Sequence, residues 1–223
     1  MTDLDEDIPL TRSDFLNLAG ICEGSLVAIA FVAGWLLNVK PVAELYWDWW
    51  GFVVGLAATL PMLLLFGVLY WIDIAPLRQI REMLSEMLSP LLAQCRWFDL
   101  VLLALMAGVC EEILFRGFMQ LWLSQWGLMM AIIVTSIIFG LVHCVTLTYA
   151  IVATLIGGYL SGIMFLVDEP NLLVPITTHA AYDYVGFLIL VAEYRRAQSK
   201  GPLPLTIDPS GESTTEHTEP SDE

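Results

Sequence analysis

Basic residues are scarce in this sequence: nine Lys and Arg stand against 24 Asp and Glu in 223 residues, a formal net charge of −15. No stripe or patch of positive charge exists to meet phosphates, which excludes a nucleic-acid partner. Charge of either sign is also sparse, at 15% of residues, where a soluble domain carries about a quarter. What charge there is crowds toward the ends. Five acids and one base lie between Met1 and Asp14, and six acids and no base follow Lys200. The stretch between is therefore more apolar than the whole chain, itself 57% hydrophobic with a mean hydropathy of +0.72.

Other absences narrow the classes further. The four cysteines, Cys22, Cys95, Cys110 and Cys144, show no CxxC spacing, which excludes a disulfide framework or a zinc knuckle. They are expected as small buried hydrophobes, with Cys110 and Cys144 beside residues singled out below. The acidic N-terminus lacks the basic region of a cleavable signal peptide. There is no HExxH, GxSxG or GxGD, so the zincin, site-2, rhomboid and aspartyl routes to peptide hydrolysis lack their signatures. No internal repeat and no matching pair of Gly- or Pro-broken spans is present, which weighs against a transporter.

Long apolar runs are abundant. A helix needs roughly 20 mostly apolar residues to cross hydrocarbon, where every backbone group must be bonded internally. Six runs meet this pattern: Ile21 to Asn38, Trp49 to Ile72, Phe98 to Leu123, Leu128 to Val145, Tyr149 to Val167, and Leu172 to Val191. Trp47, Trp49, Trp50, Trp71, Trp97, Trp122 and Trp126 fall near their ends, as an interfacial belt would place them. Between Pro76 and Trp97, Leu77, Ile80, Met83, Leu84, Met87, Leu88, Leu91 and Leu92 recur at helical spacing among charges. This predicts an amphipathic helix on the membrane surface or packed on the bundle, broken at Pro90. The expected fold is an all-α integral membrane bundle of about six transmembrane helices plus this interfacial helix.

Residues 1–20 form an acidic N-terminal segment, 21–195 the transmembrane catalytic bundle with its motif core at 98–191, and 196–223 an acidic tail expected to be disordered. With the N-terminus in the cytoplasm and six alternating spans, Arg12, Arg78, Arg81, Arg96, Arg195, Arg196 and Lys200 face inward and only Lys40 faces outward. That bias predicts both termini cytoplasmic. The short chain and minimal tails point to a bacterial inner membrane.

A charge at mid-membrane costs on the order of 2.5–3.5 kcal/mol, so charged residues there are functional candidates by default. The third run carries Glu111, Glu112 and Arg116. Glu112 and Arg116, at i and i+4 with the acid first, suit a structural ion pair. Glu111 points about 100° away round the helix and has no local base. His143 lies in the fourth run one turn after Phe139, and His179 in the sixth run one turn before Asp183. A lone histidine on a helix is ordinarily a satisfied core residue. Two of them, with a spare glutamate and an aspartate on three different spans, suggest a site built between facing helices.

Glu111-Glu112-x-x-x-Arg116, Phe139-x-x-x-His143 and His179-x-x-x-Asp183 together resemble the three motifs of the CAAX protease and bacteriocin-processing (CPBP, or Abi) family. That family includes the Ras-converting prenyl-protein endopeptidases. The resemblance covers roughly residues 98 to 191 and departs at Asp183, where the family often has Asn. It implies an intramembrane endopeptidase acting on a membrane-associated protein or peptide, of which prenylated CaaX proteins are one class. It implies Glu111 as the base that activates water, assisted by His143, with His179 and Asp183 facing the oxyanion and Glu112, Arg116 and Phe139 supporting them. A carboxylate in an apolar cavity suits general-base chemistry. No cofactor is favoured. Glu111, His143 and His179 would be the ligands of a zinc site if there were one. The competing readings are a proton-relay transporter and a catalytically inactive immunity or scaffold member of the same family.

Overall fold

A computed structural model describes residues 10–199, and all regular structure among them is helical. The first nine residues and the tail from Lys200 onward, with the disorder expected there, lie outside the described residues.

Helix α1 (Arg12–Leu37) starts well before the first apolar run because Thr11 and Asp14 form a reciprocal capping box, and it stops at Asn38 in the left-handed region at φ 56°. Helix α2 (Trp49–Trp71) is capped by the Asp48 carboxylate, which accepts from the Trp50 and Gly51 amides. The amphipathic segment folds as α3 (Ala75–Met83), a π-helical turn (Leu84–Leu88) and α4 (Ser89–Ala93). The break expected at Pro90 is replaced by this π turn, whose Leu84 carbonyl accepts from the Ser89 hydroxyl. Leu77 and Leu92 are buried, so the segment packs on the bundle. Helix α5 (Trp97–Glu112) runs into a π-helix (Ile113–Gln120) and the short α6 (Leu121–Leu123). Helices α7 (Leu128–Val142), α8 (Leu147–Ile163) and α9 (Leu173–Ser199) complete the bundle.

Three helices, α1, α2 and α9, are long and apolar enough to cross a membrane. Helices α7 and α8, at 15 and 17 residues, are shorter than the runs that predicted them. The outward surface is what a bilayer requires. Trp35, Leu64, Trp71 and Leu155 are all strongly exposed, whereas a soluble monomer rarely exposes so large a continuous apolar area. Cys95 is buried as expected, but Cys22 and Cys144 belong to this exposed surface and Cys110 is half-buried.

The contacts fix the helix directions. Arg12 pairs with Asp99, and Gly20 faces Met106, so α1 and α5 run parallel. Gly55 meets Val174 and Thr177, and Tyr70 bonds to Glu193, so α2 and α9 are also parallel. Leu100 and Val191 share a core cluster while Gly108 abuts Ala180, which makes α5 and α9 antiparallel.

That last contact sets the site. A Cβ on Gly108 would stand 2.9 Å from both the Cβ and the backbone nitrogen of Ala180. Only hydrogen fits, and the close approach brings α9 against the turn of α5 that carries Glu111 and Glu112. Gly67 in α2 has open space at the same test. Alanine at either position gains similar helix propensity, about 1 kcal/mol. Gly108→Ala should therefore fall below Gly67→Ala in stability by about 1–3 kcal/mol of overpacking, read as thermal midpoints in detergent. Equal midpoints would refute the tight α5–α9 contact.

Candidate active site

Glu111 and Glu112 lie at the end of α5, just before the π-helix, and both are buried; Glu111 is 9% exposed and Glu112 not at all. Wide helical turns of this kind recur at functional sites because they re-aim side chains within an otherwise regular helix. Arg116, on the π-helix, is also fully enclosed. Its guanidinium donates to Glu112 Oε1 at 3.0 Å, to the Gly157 carbonyl at 2.7 Å and to the Ser161 hydroxyl at 3.3 Å. The ion pair expected from the i, i+4 spacing is present, and α8 supplies the rest of its partners.

The same Glu112 Oε1 receives a second donor. His179 of α9 places Nδ1 2.8 Å from it, while His179 Nε2 lies 3.5 Å from Asp183 Oδ2. Spacing along α9 singled out Asp183 as the partner of His179. The nearer partner is Glu112, across the helix interface that Gly108 tightens. Glu112 therefore links Arg116 to His179, a role that its position beside Arg116 did not disclose.

His143 is not within a helix, as the fourth apolar run implied. It is the C-cap of α7, at φ −89° and ψ 10°. Its Nδ1 lies 2.8 Å from the Phe139 carbonyl. A carbonyl only accepts, so the proton sits on Nδ1, and this bond adds to the one the same carbonyl accepts from the His143 amide at 3.3 Å. In the neutral ring Nε2 is then a lone pair, and it faces Glu111 Oε2 at 3.7 Å. Phe139 is the wedge of the site. Its ring stacks on His143 with centroids 4.4 Å apart, meets His179 edge-on at 6.3 Å, and lies 4.7 Å from the Arg116 guanidinium carbon.

Glu111, Phe139, His143, His179 and Asp183 all line one cavity of about 280 Å³. Its other walls are mainly apolar: Leu65, Phe66 and Leu69 of α2, Leu77 and Ile80 of α3, Val152 and Ile156 of α8, and Phe187 and Leu190 of α9. The site is thus a small polar head on a greasy chamber, with the amphipathic α3 segment forming part of the wall. Every residue expected at the site is brought to this region. Among the described residues no three His, Cys, Asp or Glu side chains are arranged to hold a metal ion. Nδ1 of His179 is committed to Glu112 and Nδ1 of His143 to a carbonyl.

The motifs did not point to Glu23, Tyr149 or Tyr182. Glu23 is the one charged residue of the first apolar run, and its Oε2 is buried without a hydrogen-bond partner. The register that pairs Arg12 with Asp99 sets Glu23 level with Cys110 and Glu111. The rule that flagged Glu111, a lone charge in an apolar run, applied equally to Glu23. Tyr149 and Tyr182 line the cavity, but tyrosines near span ends are too common to stand out.

Residues 93–185 match the family described as Rce1-like, Type II CAAX prenyl endopeptidase Rce1-like. No curated protein matches the chain, and no solved structure does. The matched segment holds all seven motif residues, from Glu111 to Asp183, and over it the chain carries the sequence pattern of the CAAX protease family that those motifs resemble.

Proposed function

We propose that this protein is an intramembrane endopeptidase that hydrolyses a peptide bond with water activated by Glu111 and His143. The observation that carries the reading is the pair formed by Glu111 Oε2 and His143 Nε2, 3.7 Å apart at the head of an apolar cavity. With Nδ1 of His143 protonated, both atoms are acceptors and have no bond to offer each other. A water between them can donate one hydrogen to each, which raises its nucleophilicity and fixes its direction.

In the step we infer, the water oxygen attacks the scissile carbonyl carbon and its proton passes to Glu111. The carbonyl π pair moves onto oxygen, and His179 Nε2–H, held by Glu112 and balanced by Asp183, donates to the resulting oxyanion. Re-forming the carbonyl expels the amine, which takes the proton back from Glu111. Arg116 holds Glu112 in place through their 3.0 Å bond. The scheme activates water with Glu111 and His143 alone and calls on no metal.

The apolar walls fit a substrate with a lipidic or strongly apolar segment beside the scissile bond, and the name of the matched family points to prenylated CaaX proteins. The experiment is a comparison of membrane proteomes from cells carrying the parent and Glu111→Gln. Peptide termini that appear only with the parent are expected. Identical sets of termini would refute the endopeptidase reading and leave the proton-relay or inactive-member readings.

We further propose six spans with both termini in the cytoplasm. The parallel pairs α1–α5 and α2–α9 and the antiparallel pair α5–α9 support this, since each follows from strict alternation. Reporter fusions after Lys40 should read as external, and fusions after Arg81 and Ser199 as cytoplasmic. An external Ser199 fusion would mean an odd number of spans.

A further inference from the structure

The mechanism above leaves the oxyanion with few donors, and the reason is visible residue by residue. All three nitrogens of Arg116 are engaged, with Glu112, Gly157 and Ser161, none of which lines the cavity. Nδ1 of His143 is spent on the Phe139 carbonyl, and its Nε2 faces the base. Nδ1 of His179 is spent on Glu112. Asp183, as a carboxylate, accepts hydrogen bonds and gives none. That leaves one N–H, on His179 Nε2, for a developing charge that also feels Glu111 and Asp183 nearby.

Tyr149 sits in the cavity wall. It is in the first turn of α8, where its amide donates to the Thr146 side chain at 3.1 Å, so its backbone is anchored by a helix cap. It lines the same cavity as Asp183 and Glu111. Tyr46, Tyr70 and Tyr159 spend their hydroxyls within the fold, on the Glu169 carbonyl, Glu193 and the Ala58 carbonyl, and Tyr184 does not line the cavity. The Tyr149 hydroxyl makes no such bond among the described residues, although the residue is half-buried. Tyr182 also faces the cavity, but its ring packs edge-on to Phe66 at 6.3 Å within the apolar cluster of α2, α8 and α9, which makes it wall.

We propose that Tyr149 is a further catalytic residue, its phenolic O–H donating a hydrogen bond to the oxyanion from the α8 side of the cavity, opposite His179. The O–H keeps its proton throughout, so the step adds no proton transfer to the hydrolysis. This inference rests on the peptide-hydrolysis reading.

The test uses the full-length protein in detergent and a quenched-fluorescence peptide built on a Glu111-dependent cleavage site from the proteome comparison. Tyr149→Phe removes one oxygen and leaves the ring. It should lower kcat by about 10²–10³-fold, as loss of one oxyanion donor does, with KM and thermal midpoint near those of the parent. Adding Asp183→Asn to Tyr149→Phe should recover part of the loss, because a carboxamide supplies an N–H where the carboxylate supplies none. A Tyr149→Phe protein that keeps the parent's kcat while Glu111→Gln is inactive would overturn the role of Tyr149 and leave the protease reading standing. A loss confined to KM, or one that tracks a lowered midpoint and gains nothing from Asp183→Asn, would also overturn it. Equal cleavage by the parent and Glu111→Gln would instead remove the protease reading beneath it.

Discussion

Glu111→Gln is expected to lower the cleavage rate of the purified protein by about 10²–10⁴-fold, the range that a positioned general base contributes. The substitution is nearly isosteric, and Glu111 makes no side-chain hydrogen bond among the described residues. Its Oε2 lies 3.7 Å from His143 Nε2 and has no hydrogen-bond partner among the described residues. Removing the charge therefore strands nothing, and the thermal midpoint should hold or rise slightly. An inactive protein of full stability is the signature of a group kept for chemistry. His143→Ala should be similarly inactive but less stable, because it also removes the side-chain bond to the Phe139 carbonyl and unstacks the ring beside it. If Glu111→Gln retained the parent's rate, water activation would have to come from elsewhere and the enzyme assignment would fall.

The contrast between Glu111 and its neighbour shows where reading the sequence succeeds and where it stops. Apolar runs, the expense of charge inside them and the i, i+4 geometry of Glu112 with Arg116 are local properties, and each was legible. The three motifs were legible too, because a Glu-Glu-x-x-x-Arg inside hydrocarbon has few inexpensive explanations. The fold shows what those properties could not. The π-helix at Ile113–Gln120 has no local sequence marker, since it answers to packing of the whole bundle. The bond from His179 to Glu112 crosses from α9 to α5, 67 residues apart, and depends on the absent side chain of Gly108. The ends of α7 and α8 fall short of their apolar runs because hydropathy does not register a helix end, whereas the His143 cap does. Glu23 was within reach of the same rule that found Glu111, but it lacked a neighbouring charge or motif to draw notice.

Arg116→Ala is expected to produce the largest loss of folded protein of any single change in the site. The guanidinium is wholly enclosed, and its removal leaves His179 as the one remaining partner of Glu112 among the described residues. Breaking one side of a buried pair costs about 3–5 kcal/mol, most of it from the stranded charge rather than from the lost contact. That is a large fraction of the 5–15 kcal/mol by which domains are commonly stable, so the variant should accumulate poorly in membranes. Arg116 also holds the Gly157 carbonyl and the Ser161 hydroxyl of α8, and these lose their donor together. Arg116→Lys should rescue only part of the loss, because an ammonium cannot span Glu112, Gly157 and Ser161 in the flat fork that a guanidinium presents. The decisive comparison is the double variant Glu112→Gln with Arg116→Met. Removing both charges should restore much of the stability, since an apolar replacement of a buried pair is often neutral. It should not restore cleavage, because His179 then faces a neutral amide and is no longer held as a charged donor. Thermal midpoints and cleavage rates of the single and double variants, measured side by side, read the two effects separately. Arg116→Ala at parental stability would show that the pair is not desolvated. Full activity in the double variant would show that Glu112 and Arg116 serve the fold alone.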